Sequence, residues 1–188
     1  PEGASAAAMF TRNQVVAAPV TVGRENLRLS RGRVRAVIVN AGNANCATGA
    51  PGLQATKRVC NELALRIVCQ TKHVLPSSTG IIGVPLPVEK ISAALPGMVA
   101  SARGSRIMDF ATAIMTTDTK SKVASEQLNY KGKHVRLAGV AKGAGMIHPN
   151  MATMLVYLFT DVSATPRELQ SSLKQAVDVS FNNISIDG

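Results

Sequence analysis

The stretch from Lys142 to Leu155 has the residue types of a nucleophilic site. It is rich in glycine and small residues, and it places Thr153 at the point where a loop enters an apolar strand. A threonine hydroxyl is a poor nucleophile unless a base lies beside it, and the threonine's own α-amine is such a base once the chain is cut before it. Cleavage between Ala152 and Thr153 would create this amine. Thr153 is therefore a candidate nucleophile, and the Ala152–Thr153 bond is a candidate cleavage site.

A second motif contains groups that can stabilise negative charge. Residues 76–83 include Ser77, Ser78, Thr79 and Gly80, and this composition predicts a tight turn. Hydroxyl groups can donate hydrogen bonds, and a glycine lets the backbone approach a ligand closely. Attack on an acyl carbon develops an oxyanion, and one well-placed donor stabilises its transition state by about 3 kcal/mol.

Three further polar residues have side chains suited to the same chemistry. Lys142 lies between small residues, eleven positions before Thr153, and can hold a substrate carboxylate as a point charge. His148 precedes a proline, and no aspartate stands at a recognisable triad spacing from it, so we do not expect it to be the catalytic base. Asp118 is interpreted as a residue that caps or pairs locally.

The elements that position these residues alternate between helix and strand in the first half of the chain. Val59, Leu63 and Ile67 recur at intervals of four and predict a helix with an apolar face. The asparagine-rich residues 40–45 predict a loop that ends a strand, and Pro96 should end or kink a helix. The predicted elements are extended segments over 7–22, a strand over 33–40, a helix over 51–70, extended structure over 73–76, and helices over 88–95 and 107–114.

The second half predicts sheet. Residues 123–130 and 134–140 flank Lys131-Gly132-Lys133 and predict a hairpin. Residues 154–159 are apolar on both faces, as in a central strand between two layers. Thr165 and Glu168 are placed for a capping box at the start of a helix. The fold class predicted from these elements is α/β, a layered sandwich with a central mixed sheet flanked by helices.

Composition restricts the classes of partner. The net charge of +10 raises the question of nucleic acid, but the chain has no tryptophan, two tyrosines and four phenylalanines, too few for the stacking platforms of single-strand binders. No run of apolar residues approaches the roughly 18 needed to span a bilayer. Three cysteines without a CxxC pair, and no histidine at ligand spacing, predict no structural zinc. We therefore expect no nucleic acid, no membrane and no metal.

Several motifs, in one order along the chain, resemble the ornithine acetyltransferase family, the bifunctional glutamate N-acetyltransferases of arginine biosynthesis. The resemblance covers nearly the whole sequence. Its motifs are Ala17-Ala18-Pro19-Val20, residues 40–45, Ser78-Thr79-Gly80, residues 113–118, Ala141-Lys142-Gly143, residues 151–155 and residues 185–188.

The resemblance implies a fold and a set of roles. It implies a self-cleaving enzyme of the N-terminal-nucleophile type, in which Thr153 transfers acetyl from N-acetylornithine to glutamate through an acetyl-threonine intermediate. The Thr79 side chain and the Gly80 amide would form the oxyanion hole. Lys142 and one of Thr116 and Thr117 would contact substrate, and the sequence leaves open which threonine does so.

The resemblance also implies an assembly. Residues 1–152 would form an α-chain-like segment, and 153–188 would begin a β-chain whose missing C-terminal half supplies an acidic residue and an asparagine. Two α and two β chains would form a heterotetramer. No bound cofactor is implied, although some members of the family also use acetyl-coenzyme A as donor. The protein would be cytoplasmic in a bacterium and organellar, in a mitochondrion or plastid, in a eukaryote.

Two alternatives remain open at this point. A self-cleaving amidohydrolase or aminopeptidase of similar fold would use the same nucleophile but pass the acyl group to water. A basic polyanion-binding module would show steeply salt-dependent binding and no cleavage.

Overall fold

The computed structural model describes residues 3–102, 106–130, 132–145, 147 and 154–186. The helices and strands of these residues alternate along most of the chain, and their pairings are both parallel and antiparallel. The predicted α/β class is confirmed. The helices are α1 Ala18–Leu29, α2 Gly49–Arg66, α3 Val88–Ser101, α4 Ile107–Ala113 and α5 Pro166–Asp178, and the strands are β1 Ala4–Ser5, β2 Arg33–Val34, β3 Ala36–Asn43, β4 Val74–Ile81, β5 Lys122–Tyr130, β6 Lys133–Lys142 and β7 Leu155–Thr160.

Helix α1 corrects the extended structure predicted over 7–22. Its N-cap residue Ala17 is extended, and Pro19 lies in the first turn, where its missing N–H breaks no helical hydrogen bond. Val22 and Asn26 then recur at an interval of four and are buried. The Asn26 side chain donates to the carbonyl of Val74 at 2.8 Å, which fixes the helix to β4.

The strands β3 and β4 form a parallel pair joined through α2, a βαβ unit. Strand β3 is as long as predicted but lies three residues further along the chain, and β4 is longer than the extended segment predicted over 73–76. The asparagine segment expected to end the first strand belongs to β3 as far as Asn43, and the turn predicted over 76–83 is mostly strand, since β4 continues to Ile81. Pairing satisfies the backbone of these polar segments, and Ser78 Oγ donates to Asn40 Oδ1 at 2.6 Å.

The first core lies between this pair and the helices around it. Its fully buried side chains include Cys60, Val74 and Leu95. The burial of Cys60 raises the pKa of its thiol to about 12. Helix α3 does not end at Leu95, as the sequence suggested, but continues through Pro96 to Ser101, and Val99 beyond the proline packs against the same core.

The second sheet has the order β5-β6-β7 and is antiparallel. It confirms the predicted hairpin. The central strand of this sheet is β6, whereas β7, predicted to be central, lies at the edge with Leu158 and Phe159 about half exposed. Apolar residues on both faces of β7 therefore do not indicate a central position within the described sheet.

A second core joins this sheet to α4 and to β3. Ala111, Ile114 and Val140 are buried in it, and Val39 of β3 packs against them. The ring of Phe110 meets that of Tyr157 edge-on, with centroids 5.1 Å apart. This cluster holds the ends of β4 and β6 on the same side of the molecule.

Helix α5 begins with the predicted capping box. Thr165 accepts from the Glu168 amide at 3.3 Å, and the Thr165 amide donates to the Glu168 carboxylate at 2.8 Å. After this helix, Ile186 forms an antiparallel bridge with Ile147.

Candidate functional site

The last residue of β6, Lys142, brings together three parts of the chain. Its Nζ lies 3.0 Å from Thr79 Oγ1 on β4 and 2.6 Å from Thr116 Oγ1, which follows α4. The residue is only 6% exposed. The predicted oxyanion-hole threonine, the predicted substrate lysine and one of the two predicted substrate threonines therefore form one hydrogen-bonded cluster. Thr116 and Thr117 are both exposed to solvent, so the contact with Lys142, and not burial, distinguishes Thr116.

Asp118 provides the opposite charge. Its carboxylate is buried, and Oδ1 accepts from the Gly143 amide at 2.8 Å and from Lys122 Nζ at 2.6 Å. The other oxygen, Oδ2, lies 3.7 Å from Lys142 Nζ, an ion pair without a hydrogen bond. The sequence indicated local pairing of Asp118, and the Lys122 contact agrees. It did not indicate the contacts to Lys142 and Gly143.

The pKa of Asp118 reflects these contacts. Burial raises the pKa, but the hydrogen bonds from Lys122 and the Gly143 amide, with the charges of Lys122 and Lys142, outweigh burial and lower it from 3.8 to about 2. The carboxylate is therefore ionised across the physiological range.

Gly80 lies beside the backbone of the neighbouring strand. It pairs with Gly42 in the parallel register, and its φ of +129° is a conformation that residues with side chains rarely adopt. A Cβ at Gly80 would overlap the carbonyl carbon of Gly42 and lie 2.5 Å from the Asn43 amide nitrogen. Glycine is needed here for the approach of two strands, a reason different from the ligand approach expected from the sequence.

Asparagine side chains at the C-terminal end of β3 form hydrogen bonds to neighbouring segments. The sequence did not predict this role. Asn43 donates to the carbonyls of Val84 and Pro85, both at 3.1 Å. Asn45 is fully buried, donates to Gly52 O at 3.0 Å and to Thr56 Oγ1 at 2.8 Å, and ties β3 to the first turns of α2. The concentration of asparagine in residues 40–45 is the sequence feature that could have indicated this role.

The predicted nucleophile Thr153, the predicted cleavage partner Ala152 and His148 lie outside the described residues. The strands on either side of this segment are described. Lys142 at the end of β6 pairs with Leu155 at the start of β7. Residues 143–154 therefore connect two strand ends that are hydrogen-bonded neighbours, and the first of these ends carries the lysine of the cluster.

A cavity of about 490 Å³ lies on another side of the β3–β4 pair, against α3. Polar residues such as Asn40, Ser78 and Lys90 line it together with apolar ones, whereas Thr79 and Lys142 do not. Among the described residues, no group of three or more His, Cys, Asp or Glu could hold a metal ion. Within the same ranges, no helix has the length and apolarity required to cross a membrane.

Comparison with known proteins gives consistent matches over this architecture. The family model for the ArgJ family matches residues 1–188. The arginine biosynthesis bifunctional protein ArgJ of Chlorobaculum tepidum is 47% identical over 187 residues, which cover 100% of this chain and 46% of that relative. The chain thus spans about half the length of the curated relative it matches.

Two solved structures share the fold. The arginine biosynthesis bifunctional protein argJ from Bacillus halodurans matches with a TM-score of 0.70 and 38% identity, over 81% of this chain and 78% of that one. The ornithine acetyltransferase of Mycobacterium tuberculosis, solved in complex with ornithine, matches with a TM-score of 0.70 and 36% identity, over 81% of this chain and 79% of that one.

The helices packed on parallel and antiparallel strands, with these structural neighbours, define an α/β fold of the N-terminal-nucleophile hydrolase type. With a family model matching its whole length and a relative at 47% identity, the chain belongs to the ArgJ family.

Proposed function

We propose that this chain is part of an acyltransferase that moves an acetyl group from N-acetylornithine to glutamate. The observation that carries the proposal is the cluster in which Lys142 Nζ lies within 3.0 Å of the hydroxyls of both Thr79 and Thr116. It supports the proposal because one residue expected in the oxyanion hole and two expected to contact substrate, far apart in sequence, meet in one place. The names of the structural neighbours, which include an ornithine acetyltransferase bound to ornithine, are consistent with this substrate class.

The first step of the proposed mechanism is self-cleavage. The Thr153 hydroxyl attacks the carbonyl carbon of Ala152, the C–N bond of the peptide breaks, and an ester to the threonine oxygen forms. Water then hydrolyses the ester, which leaves the Ala152 carboxylate and a free Thr153 amine. Thr153 comes two residues before Leu155, whose backbone pairs with Lys142, so the chain connects this bond closely to the cluster.

The second step is acetyl transfer. The freed amine accepts the proton of the Thr153 hydroxyl as its oxygen attacks the acetyl carbonyl of N-acetylornithine. The Thr79 hydroxyl and the Gly80 amide donate hydrogen bonds to the oxyanion. Ornithine leaves after taking up a proton, and the amine of glutamate then attacks the acetyl-threonine ester, which regenerates the hydroxyl. This order of reaction steps requires ping-pong kinetics.

The substrate contacts form the next part of the proposal. Lys142 offers positive charge to a substrate carboxylate, and Thr116 is favoured over Thr117 as the contacting threonine because it lies beside Lys142. Thr117 is the alternative. We propose no bound cofactor; acetyl-coenzyme A, which some members of the family use, is the alternative acetyl donor.

The proposal also includes how the cleaved chains assemble. An α segment ending at Ala152 and a β segment beginning at Thr153 would associate as two copies of each, with further β-chain residues completing the pocket. Compartment would follow the source: cytoplasm in a bacterium, mitochondrion or plastid in a eukaryote.

The proposal is tested with Thr153→Ala in the complete open reading frame that encodes this chain. Denaturing intact-mass measurement should show fragments meeting at Ala152–Thr153 in the wild type and a single uncut chain in the variant. The variant should also form no acetylglutamate from N-acetylornithine and glutamate. Thr112→Ala, at an exposed threonine of α4, is the matched control and should behave like the wild type.

Either cleavage or transfer in Thr153→Ala would overturn the assignment. The products in the wild type separate transfer from hydrolysis. Acetylglutamate identifies a transferase, whereas free acetate formed at the same rate with and without glutamate identifies an amidohydrolase.

A further inference from the structure

The hydrogen bonds of Lys142 have a fixed direction. An ammonium group has three donors and no acceptor, so the Thr79 and Thr116 oxygens must accept from it. Each hydroxyl then uses a lone pair for the lysine, and its own proton points away from Nζ. Thr79 is thereby left as a donor whose acceptor must lie elsewhere.

Asp118 explains why the lysine donates to hydroxyls. Its Oδ1 is occupied by the Gly143 amide at 2.8 Å and by Lys122 Nζ at 2.6 Å. Its Oδ2 lies 3.7 Å from Lys142 Nζ, near enough to compensate the charge and too far to take a hydrogen bond. The carboxylate therefore balances the buried ammonium without competing with Thr79 for its protons.

We propose that Lys142, with its charge compensated by Asp118, is a positioning residue that orients the Thr79 hydroxyl as a donor to the oxyanion. This inference rests on the proposed function and adds to it, because the lysine then acts through Thr79 as well as on the substrate. A charge-assisted bond into a hydroxyl polarises it, and in a site shielded from water this makes the hydroxyl a stronger donor. The Lys142 side chain is only 7% exposed, so little water reaches this bond.

The two roles of Lys142 differ in their kinetic signature. A lysine that only binds the substrate carboxylate contributes equally to ground state and transition state, so its loss raises KM and leaves kcat unchanged. A lysine that orients the oxyanion donor contributes when the oxyanion forms, so its loss lowers kcat.

The test is a double-mutant cycle between Lys142→Met and Thr79→Val in the complete open reading frame. Initial rates of acetylglutamate formation are divided by the concentration of mature enzyme, measured as the fragment that begins at Thr153. Lys142→Met should lower kcat about 10- to 100-fold, with any rise in KM reporting its separate contact with the substrate, and Thr79→Val should lower kcat about 100-fold or more. The double variant should be no slower than Thr79→Val alone, because the lysine has no hydroxyl to act on.

Thr79→Ser separates orientation from folding. It keeps the hydroxyl, so the effect of Lys142→Met should persist at full size in the serine background and vanish in the valine background. Lys120→Met, at an exposed lysine, is the control and should retain wild-type kinetics. If Lys142→Met does not fold, Asp118→Asn replaces it and should lower kcat in the serine background but not in the valine background.

Multiplicative effects in the cycle, or a rise in KM with kcat retained, would overturn the inference while leaving the acetyltransferase assignment intact. A mature wild-type enzyme that transfers no acetyl group would overturn both.

Discussion

Lys142 and Thr79 are 63 residues apart in the chain, and a 3.0 Å hydrogen bond joins them. The bond depends on the second core, where Val39 of β3 packs against Ile114 and Val140. Val140 lies two residues before Lys142 on β6. Strand β4, which contains Thr79, pairs with β3 in parallel register. An apolar contact between two sheets thus sets the distance between two polar groups.

Substitution of Gly80 should cost stability because its backbone touches that of Gly42. Gly80→Ala should lower the free energy of unfolding by about 2 to 4 kcal/mol, from steric overlap and from its positive φ. Gly42→Ala is a matched control, since its φ is +95° but no atom lies within 4 Å of the added Cβ, and it should cost only about 1 kcal/mol. Urea unfolding of both variants measures the difference, and equal losses would contradict the role of the Gly42 contact.

Asp118 should make the protein sensitive to acid. Its folded-state pKa of about 2 lies below the unfolded value of 3.8, so its stabilisation is fully present above about pH 4 and is lost as the pH falls towards 2. The shift corresponds to roughly 2 kcal/mol. Between pH 5 and pH 2, Asp118→Asn should therefore lose about 2 kcal/mol less stability than the wild type, measured by denaturant unfolding. Parallel pH profiles would exclude this contribution.

The buried amide of Asn45 should be necessary for the junction between β3 and α2. Asn45→Ala removes two donated hydrogen bonds and the acceptor of Thr48 Oγ1, and it places alanine at a φ of 45°. We expect a loss of about 2 to 3 kcal/mol in unfolding free energy. Asn129→Ala, at an exposed position of β5, should change stability by less than about 0.5 kcal/mol. A loss at Asn45 as small as this control would show that the amide network is dispensable.

Because α3 continues through Pro96, we expect substitutions at Leu95 and at Met98 in the same helix to differ sharply in their cost to stability. Leu95 is fully buried in the first core, and Leu95→Ala should destabilise the protein by about 2 to 5 kcal/mol. Met98, three residues later, is 44% exposed, and Met98→Ala should cost under about 1 kcal/mol. Thermal unfolding of the two variants compares these positions. Similar midpoints would mean that α3 does not dock through Leu95.

The elements predicted well from sequence have local causes. The period of four in α2, the hairpin around Gly132 and the capping box of Thr165 act within a few residues, and all three are present. The elements predicted wrongly depend on distant partners. Ser77 to Gly80 read as a turn by composition, yet pairing with β3 makes them strand.

The candidate site was predicted only in part, because some of its contacts also depend on partners that are distant in the sequence. The hydroxyl, glycine and lysine motifs were found by residue type and by resemblance, and the structure brings Thr79, Thr116 and Lys142 together. The contact of Asp118 with the Gly143 amide spans 25 positions and requires the register of β6, which no local pattern specifies. The choice between Thr116 and Thr117 likewise depends on which hydroxyl the fold turns towards Lys142.

The antiparallel pairing of β6 with β7 also determines what a break in residues 143–154 would do. Six residue pairs, from Leu137 with Thr160 to Lys142 with Leu155, join the strands on either side of that connection. A nick there leaves this hydrogen-bonded ladder whole, so the two pieces would remain one particle held by non-covalent contacts. They would elute together on a native sizing column and separate only in denaturant, and the new chain end would be held at the edge of a sheet instead of diffusing away.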